Sequence, residues 1–203
     1  MPEIPPFTAE NYPQSYAVKQ HILAQEVPLR GLIRDMGDLL GIGRGLLTTP
    51  ESGAYSKEET GRGLCVLMCS IAEDGLPKKF RKLVVGTTVA RVTPWNEDQI
   101  GSSRFTHTWS HCQFKEERVI FFVDMVPRQI DPRLDAIAID EMSRESLYYP
   151  DLENSGWLPK ISIDDRLENY CNKYFQINGV ALDMRKQRRL RSLAFNTRDL
   201  LAG

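Results

Sequence analysis

Apolar residues recur along the chain at two different periods, and the change of period divides it. From Ser15 the spacing is helical, with Val18 and Ile22 four apart, until Pro28 interrupts it. Pro28 suits the first turn of a second helix, in which Leu29, Leu32, Ile33, Met36, Leu39 and Leu40 form a core-facing stripe. Gly41 ends that stripe, and GIGRG with the following LLTTPESGAY reads as a long loop. Ser56 and Glu59 make a capping box opening a helix that carries Leu64, Leu67, Met68, Ile71 and Ala72 and closes at Gly75 and Pro77.

The period then falls to two. Residues 82–93, 103–114 and 118–126 are rich in β-branched and aromatic residues and predict three strands. The second and third are joined by Lys115 to Glu117, a length that suits a hairpin. Val119, Phe121, Val123 and Met125 alternate with Ile120, Phe122 and Val126, so both faces of the third strand are apolar, as in a covered central strand. Asp131 and Pro132 predict a helix over RLDAIAIDEMSRESL, although IAI also suits a strand, and YYPDLENSGWLP at 148–159 reads as an aromatic-bearing loop. Ile163, Leu167, Tyr170, Cys171 and Tyr174 mark another helix, capped at Asn178 and Gly179, and a last one spans about 180–202. The expected fold is α+β, a small mainly antiparallel sheet over about 82–126 packed by helices from both chain ends. Residues 1–14, with four prolines and no periodicity, are expected to form an extended arm beside a single globular domain over 15–203.

Composition fits that picture: hydrophobic residues are 41% and charged residues 26% of the 203, as in ordinary globular domains. No apolar run approaches the roughly 20 residues needed to cross a bilayer. The start of the sequence has no signal-peptide pattern, so an intracellular protein, cytoplasmic or in the nucleus or a virion, with four reduced cysteines is expected.

Charge changes the picture more. DMRKQRRLRSLAF packs Arg185, Lys186, Arg188, Arg189 and Arg191 into seven positions. From residue 179 onward six cations face two carboxylates, a balance of +4, so the rest of the chain carries −5. Beyond this cluster Leu190, Leu193, Ala194, Thr197 and Leu201 define an apolar face able to dock on the body or on another subunit. Lys78, Lys79, Arg81 and Lys82 form a second cluster. Both sets are candidate contacts to nucleic acid or to an anionic membrane surface, because an arginine fork matches phosphate. An acidic body and a basic end also favour a homo-oligomer.

Candidate chemistry is sparser. Cys65-x3-Cys69 with His107-x3-His111 superficially suggests zinc, but four residues of a strand span about 13 Å, too far for one ion to hold both histidines. No metal or cofactor is expected. His107, Trp109 and His111 share one strand face and, with Asp124 in the most apolar strand, suggest a pocket or an acid-base site. Their plainer reading is a packed sheet face with a salt bridge. GIGRG follows a helix rather than a strand and lacks a Lys-Ser/Thr pair, so it is no phosphate loop.

The function expected from sequence is therefore a non-enzymatic, self-associating structural protein that contacts nucleic acid or an anionic surface through its basic terminal helix, such as a viral capsid, matrix or nucleoprotein-like component. The alternatives are a small enzyme using His107, His111 and Asp124, and a monomeric protein-binding adaptor. The order of helix, strand and hairpin over 56–126 resembles matrix proteins of negative-strand RNA viruses, a resemblance that carries no site residues.

Overall fold

The computed structural model describes residues 5–40, 64–77, 82–92, 105–127, 137–142, 156–158, 160–178 and 181–203. Two N-terminal helices, α1 (Pro13–Ala24) and α2 (Glu26–Leu39), are followed by α3 (Leu64–Gly75) and then by β1 (Leu83–Val92), β2 (Phe105–Phe114), β3 (Ile120–Asp124), β4 (Ala138–Glu141) and β5 (Gly156–Leu158). The chain closes with α4 (Ile163–Asn178) and α5 (Met184–Ala202). The strands form one sheet in the order β4-β3-β2-β1-β5, every pair antiparallel. The fold is α+β, with N- and C-terminal helices flanking the sheet, as the change of period predicts.

The helix α3 is the centre of the packing. All its residues except Val66 and Asp74 are buried, which a helix achieves only when other elements cover it on every side. It touches β1 and β2 on one side and α4 and α5 on others, while α5 also packs along α2. Cys112, Phe114, Phe121 and Val123 of the sheet join Leu64, Leu67, Met68 and Ile71 of α3 in one apolar cluster with α2 and α5. The polar groups of α3 are tied to its neighbours: Thr87 of β1 donates to Glu73 at 2.6 Å, and Arg166 of α4 donates to the Ser70 hydroxyl at 2.8 Å.

The segment before α1 departs from the expected arm. Phe7 and Tyr12 are buried in this chain's own core, and the Phe7 ring stacks on Phe121 with centroids 5.7 Å apart. Pro13 opens α1, where its missing N–H costs nothing. The orphan N–H groups of Gln14 and Ser15 donate to the carboxylate of Glu117 at 2.6 and 2.9 Å, so a residue of the β2–β3 turn caps the first helix.

Two further expectations change. In the segment predicted as helix with IAI as an alternative strand, the strand alternative holds over Ala138–Glu141 (β4), because pairing with β3 satisfies a backbone that one helical turn would leave exposed. Gly156–Leu158, inside the expected loop, pairs with β1 as the edge strand β5. The last helix starts at Met184, where Asp183 caps it by accepting from the Lys186 N–H at 2.8 Å. The GIGRG stretch and the capping box at Ser56 and Glu59 lie outside the described residues.

Gly75 ends α3 against the backbone of α5. A Cβ placed there would lie 2.7 Å from the Arg198 carbonyl oxygen and 3.1 Å from both Arg198 Cα and Leu201 Cβ, so the helices could not keep their separation. Gly75→Ala is expected to destabilise by about 1–3 kcal/mol, as overpacking does, although glycine-to-alanine in an open helix stabilises by roughly 1 kcal/mol. Urea unfolding of the two proteins decides it, and a higher midpoint for the alanine variant would refute the close approach.

Candidate active site

β2 and β3 bring together His107 of the histidine-bearing strand face and Asp124 of the most apolar strand. His107 Nε2 lies 2.7 Å from Asp124 Oδ2, and both side chains are fully buried. The other carboxylate oxygen, Oδ1, accepts from the Val126 N–H at 2.9 Å. Asp124 is therefore held from both sides: the backbone fixes one oxygen, and the second fixes the imidazole. Two buried ionisable groups are tolerated only with such pairing, since desolvation of an unpartnered carboxylate costs several kcal/mol.

The third member is Cys65 in the first turn of α3, where the helix meets β2 at His107 and Thr108. Burial by itself would push this thiol up, but hydrogen bonding and charge from His107, helped by Thr108, outweigh it and hold the thiol below its ordinary 9.0. Burial would likewise lower the imidazole, yet the charge and hydrogen bond of Asp124, with a further contribution from Cys65, raise His107 to about 10. At neutral pH the imidazole is therefore held as its cation, and that charge favours ionisation of the Cys65 thiol beside it.

The neighbouring thiols are set the other way. Cys69, one turn further along α3, is pushed up by burial and by the charges of Cys65 and Asp124. Burial raises Cys112 and Cys171 as well. All four cysteines are free, and among them the shifts single out Cys65.

The rest of the expected pocket divides. Trp109 stacks on His107 with ring centroids 6.3 Å apart. Its full burial makes it a packing plate behind the imidazole, whereas a surface for bases to stack on needs an exposed indole. His111 turns to β1, where its Nδ1 lies 3.4 Å from the Thr88 hydroxyl oxygen. Its ring occupies the space left by Gly86: a Cβ there would come within 2.0 Å of Cε1. Burial lowers His111 to about 4, so it is neutral at physiological pH and stands apart from the His107–Asp124 pair.

Among the described residues no group of three or more His, Cys, Asp or Glu side chains has the arrangement of a metal site. Sequence reasoning noticed Cys65 only as a metal candidate or a core thiol. The signal that could have found it was the combination of a cysteine in a helix preceding the sheet with a histidine and an aspartate in successive strands.

The basic helix is narrower than its composition. Arg185, Lys186, Arg188, Arg189 and Arg191 are all exposed, but Arg191 pairs with Asp164 of α4 at 2.5 Å. Lys82 pairs with Glu116 in the β2–β3 turn. Lys78, Lys79 and Arg81 lie outside the described residues. The apolar face Leu190, Leu193, Ala194, Thr197 and Leu201 is buried on the chain's own α2 and α3, so in this fold it is not offered to another subunit. Among the described residues no helix is long and apolar enough to cross a membrane.

The two directions of shift give a pH test. A histidine whose folded value is about 10, against 6.5 for the free side chain, binds its proton more tightly folded than unfolded. The stabilisation is thus complete below pH 6.5 and is lost as pH rises through about 10. Asp124→Asn removes its source, so the variant is expected to be less stable by about 2–3 kcal/mol at pH 6, with the gap closing toward pH 10. Melting curves across that range check this, and a gap that widens with pH would show that the pair is not charged as argued. Comparison of the chain with protein-family models, with curated proteins and with solved structures gives no match.

Proposed function

We propose that this protein is an enzyme that transfers or hydrolyses acyl groups through a cysteine nucleophile. The observation that supports the reading is the cluster of Cys65, His107 and Asp124, in which His107 lowers the thiol and its Nε2 lies 2.7 Å from a buried carboxylate. A nucleophile, a base and a group that orients the base are the three roles that acyl-transfer triads share across unrelated folds, and they are recognised by geometry rather than by order in the chain. The alternative of an acid-base enzyme thereby becomes the preferred reading over a purely structural protein, with His111 set aside and Cys65 added.

The chemistry follows from the positions. The Cys65 thiolate attacks the carbonyl carbon of an amide or ester, forming the C–S bond while the C=O electron pair moves to oxygen. Collapse of that tetrahedral species expels the amine or alcohol, which takes its proton from the imidazolium of His107 and leaves a thioester on Cys65. Water or a second amine then adds to the thioester with neutral His107 as base, and departure of the thiolate restores the starting pair. Asp124 keeps the imidazole oriented and stabilises its cationic form. A dithiol redox role is less well supported, since Cys69 is held protonated and therefore poorly reactive.

Cys65 is only 2% exposed, so small reagents are the right first probes. Iodoacetamide at pH 6 is expected to alkylate Cys65 before the other three cysteines, as read by peptide mass spectrometry. With p-nitrophenyl acetate, the wild type and Cys69→Ser should both acquire acetyl on Cys65, and Cys65→Ser should not.

Asp124→Asn is the more telling change. The Val126 N–H would hold the amide oxygen, turning the NH2 toward His107 Nε2. That nitrogen would then have to accept, which moves the ring proton to Nδ1 and disables the base. Acylation should slow on the order of 10³-fold or more, as in other triads given the wrong tautomer. Equal labelling of all four cysteines, unaffected by Asp124→Asn, would refute the proposal.

A further inference from the structure

The outer face of α5 carries a second, independent feature. At 100° per residue, Arg185, Arg188, Arg189, Ser192 and Asn196 fall within an arc of about 100°, opposite the buried stripe, and run about 17 Å along the axis. All five are exposed. Among the described residues, the three arginines form no ion pair, in contrast to Arg191, held by Asp164, and Arg198, held by Asp74 and Asp199. The stripe ends at Asp199, whose carboxylate is bound by Arg198 at 2.6 Å.

We propose that this stripe, Arg185, Arg188, Arg189, Ser192 and Asn196, is a docking surface for the phosphodiester backbone of a nucleic acid. The partner is identified by chemistry. Three guanidinium forks are followed by two small hydrogen-bonding side chains, so the face offers donors in a row to acceptors that repeat along a polyanion. Duplex DNA presents one charge per about 1.7 Å of axis, so a 17 Å stripe lies beside several phosphates at once.

The other occupants fit less well. An amphipathic helix holds an anionic membrane by inserting its apolar face, and here that face is buried against α2 and α3. A protein partner is usually anchored by aromatic or aliphatic side chains, and no stripe position carries one. Phe195, at the border of the stripe, is covered by the Arg198 guanidinium 4.5 Å above its ring.

The test is fluorescence anisotropy of the full chain with labelled 20-mer duplex DNA and single-stranded RNA across a salt series. Expected is binding that weakens steeply with salt in at least one arm, the stronger arm naming the kind of nucleic acid. Replacing Arg185, Arg188 and Arg189 together by Glu should weaken binding at least tenfold. Together by Gln, they should lower the log-log salt slope by about 1 per arginine removed. Both variants should keep the wild-type melting temperature, since these side chains are exposed.

Four results would overturn the proposal. They are no binding to either oligonucleotide at low salt, binding unchanged in the Glu variant, capture by phosphatidylserine vesicles in preference to either nucleic acid, or a dimer in light scattering that the Glu substitutions dissociate.

Discussion

Burial of α3 on all sides is the constraint on which the rest of the structure depends. A helix surrounded by a sheet, α4 and α5 must present apolar or internally satisfied groups in every direction, and LCVLMCSIAEDG does so. The two polar side chains that fall inside, Ser70 and Glu73, are met by Arg166 and Thr87. The one position where a neighbouring backbone comes closest, Gly75, has no side chain. Because α3 cannot shift without unpacking β2 or α5, Cys65 is held at a fixed place relative to His107. Rigid elements position a reactive group more closely than loops do, and this helix is rigid because it is enclosed.

The same enclosure explains the electrostatics. In a wet site, a histidine and an aspartate 2.7 Å apart would interact weakly, and a cysteine beside them would keep an ordinary thiol. Removing water raises the cost of every charge, and it raises the attraction between opposite charges still more when the geometry is good. Cys112 and Cys69 lie in the same core and are driven up, while Cys65 alone is driven down, so burial cannot be the cause of the difference. The cause is the orientation of one imidazole, itself fixed by a carboxylate that Val126 fixes in turn.

Much of the fold was legible in the sequence because its elements are long enough to show a period. The stripe of α2, the β2–β3 hairpin and the inner face of α5 each repeat their pattern several times. β4 and β5 contain four and three residues, fewer than a period test needs, and they exist because β3 and β1 offer edges to pair with. The docking of Phe7 on Phe121 joins residues more than a hundred positions apart, and nothing local in a Pro-rich stretch announces it. The candidate site was half legible for the same reason. Asp124 stood out as a carboxylate in an apolar strand and His107 as part of a histidine-bearing strand face, but their pairing is set by the antiparallel register of β2 and β3. Cys65 did not stand out, because a cysteine in an apolar helix is ordinary until its neighbour across the packing is known.

The basic helix shows how packing can refine a composition signal. Five cations in seven positions wrap most of the way around an isolated helix, and no direction is preferred. Docking Leu190, Leu193, Ala194, Thr197 and Leu201 on α2 and α3 fixes the rotation of α5 and selects which cations point away. Arg191 is turned toward α4 and meets Asp164, and Arg198 is turned toward the end of α3 and meets Asp74. What is left outward is a row of three arginines whose spacing follows from the apolar stripe on the opposite side. One helix thus anchors the enclosure of α3 with one face and presents an aligned positive charge with the other, so packing changes that rotate α5 would disturb both features together.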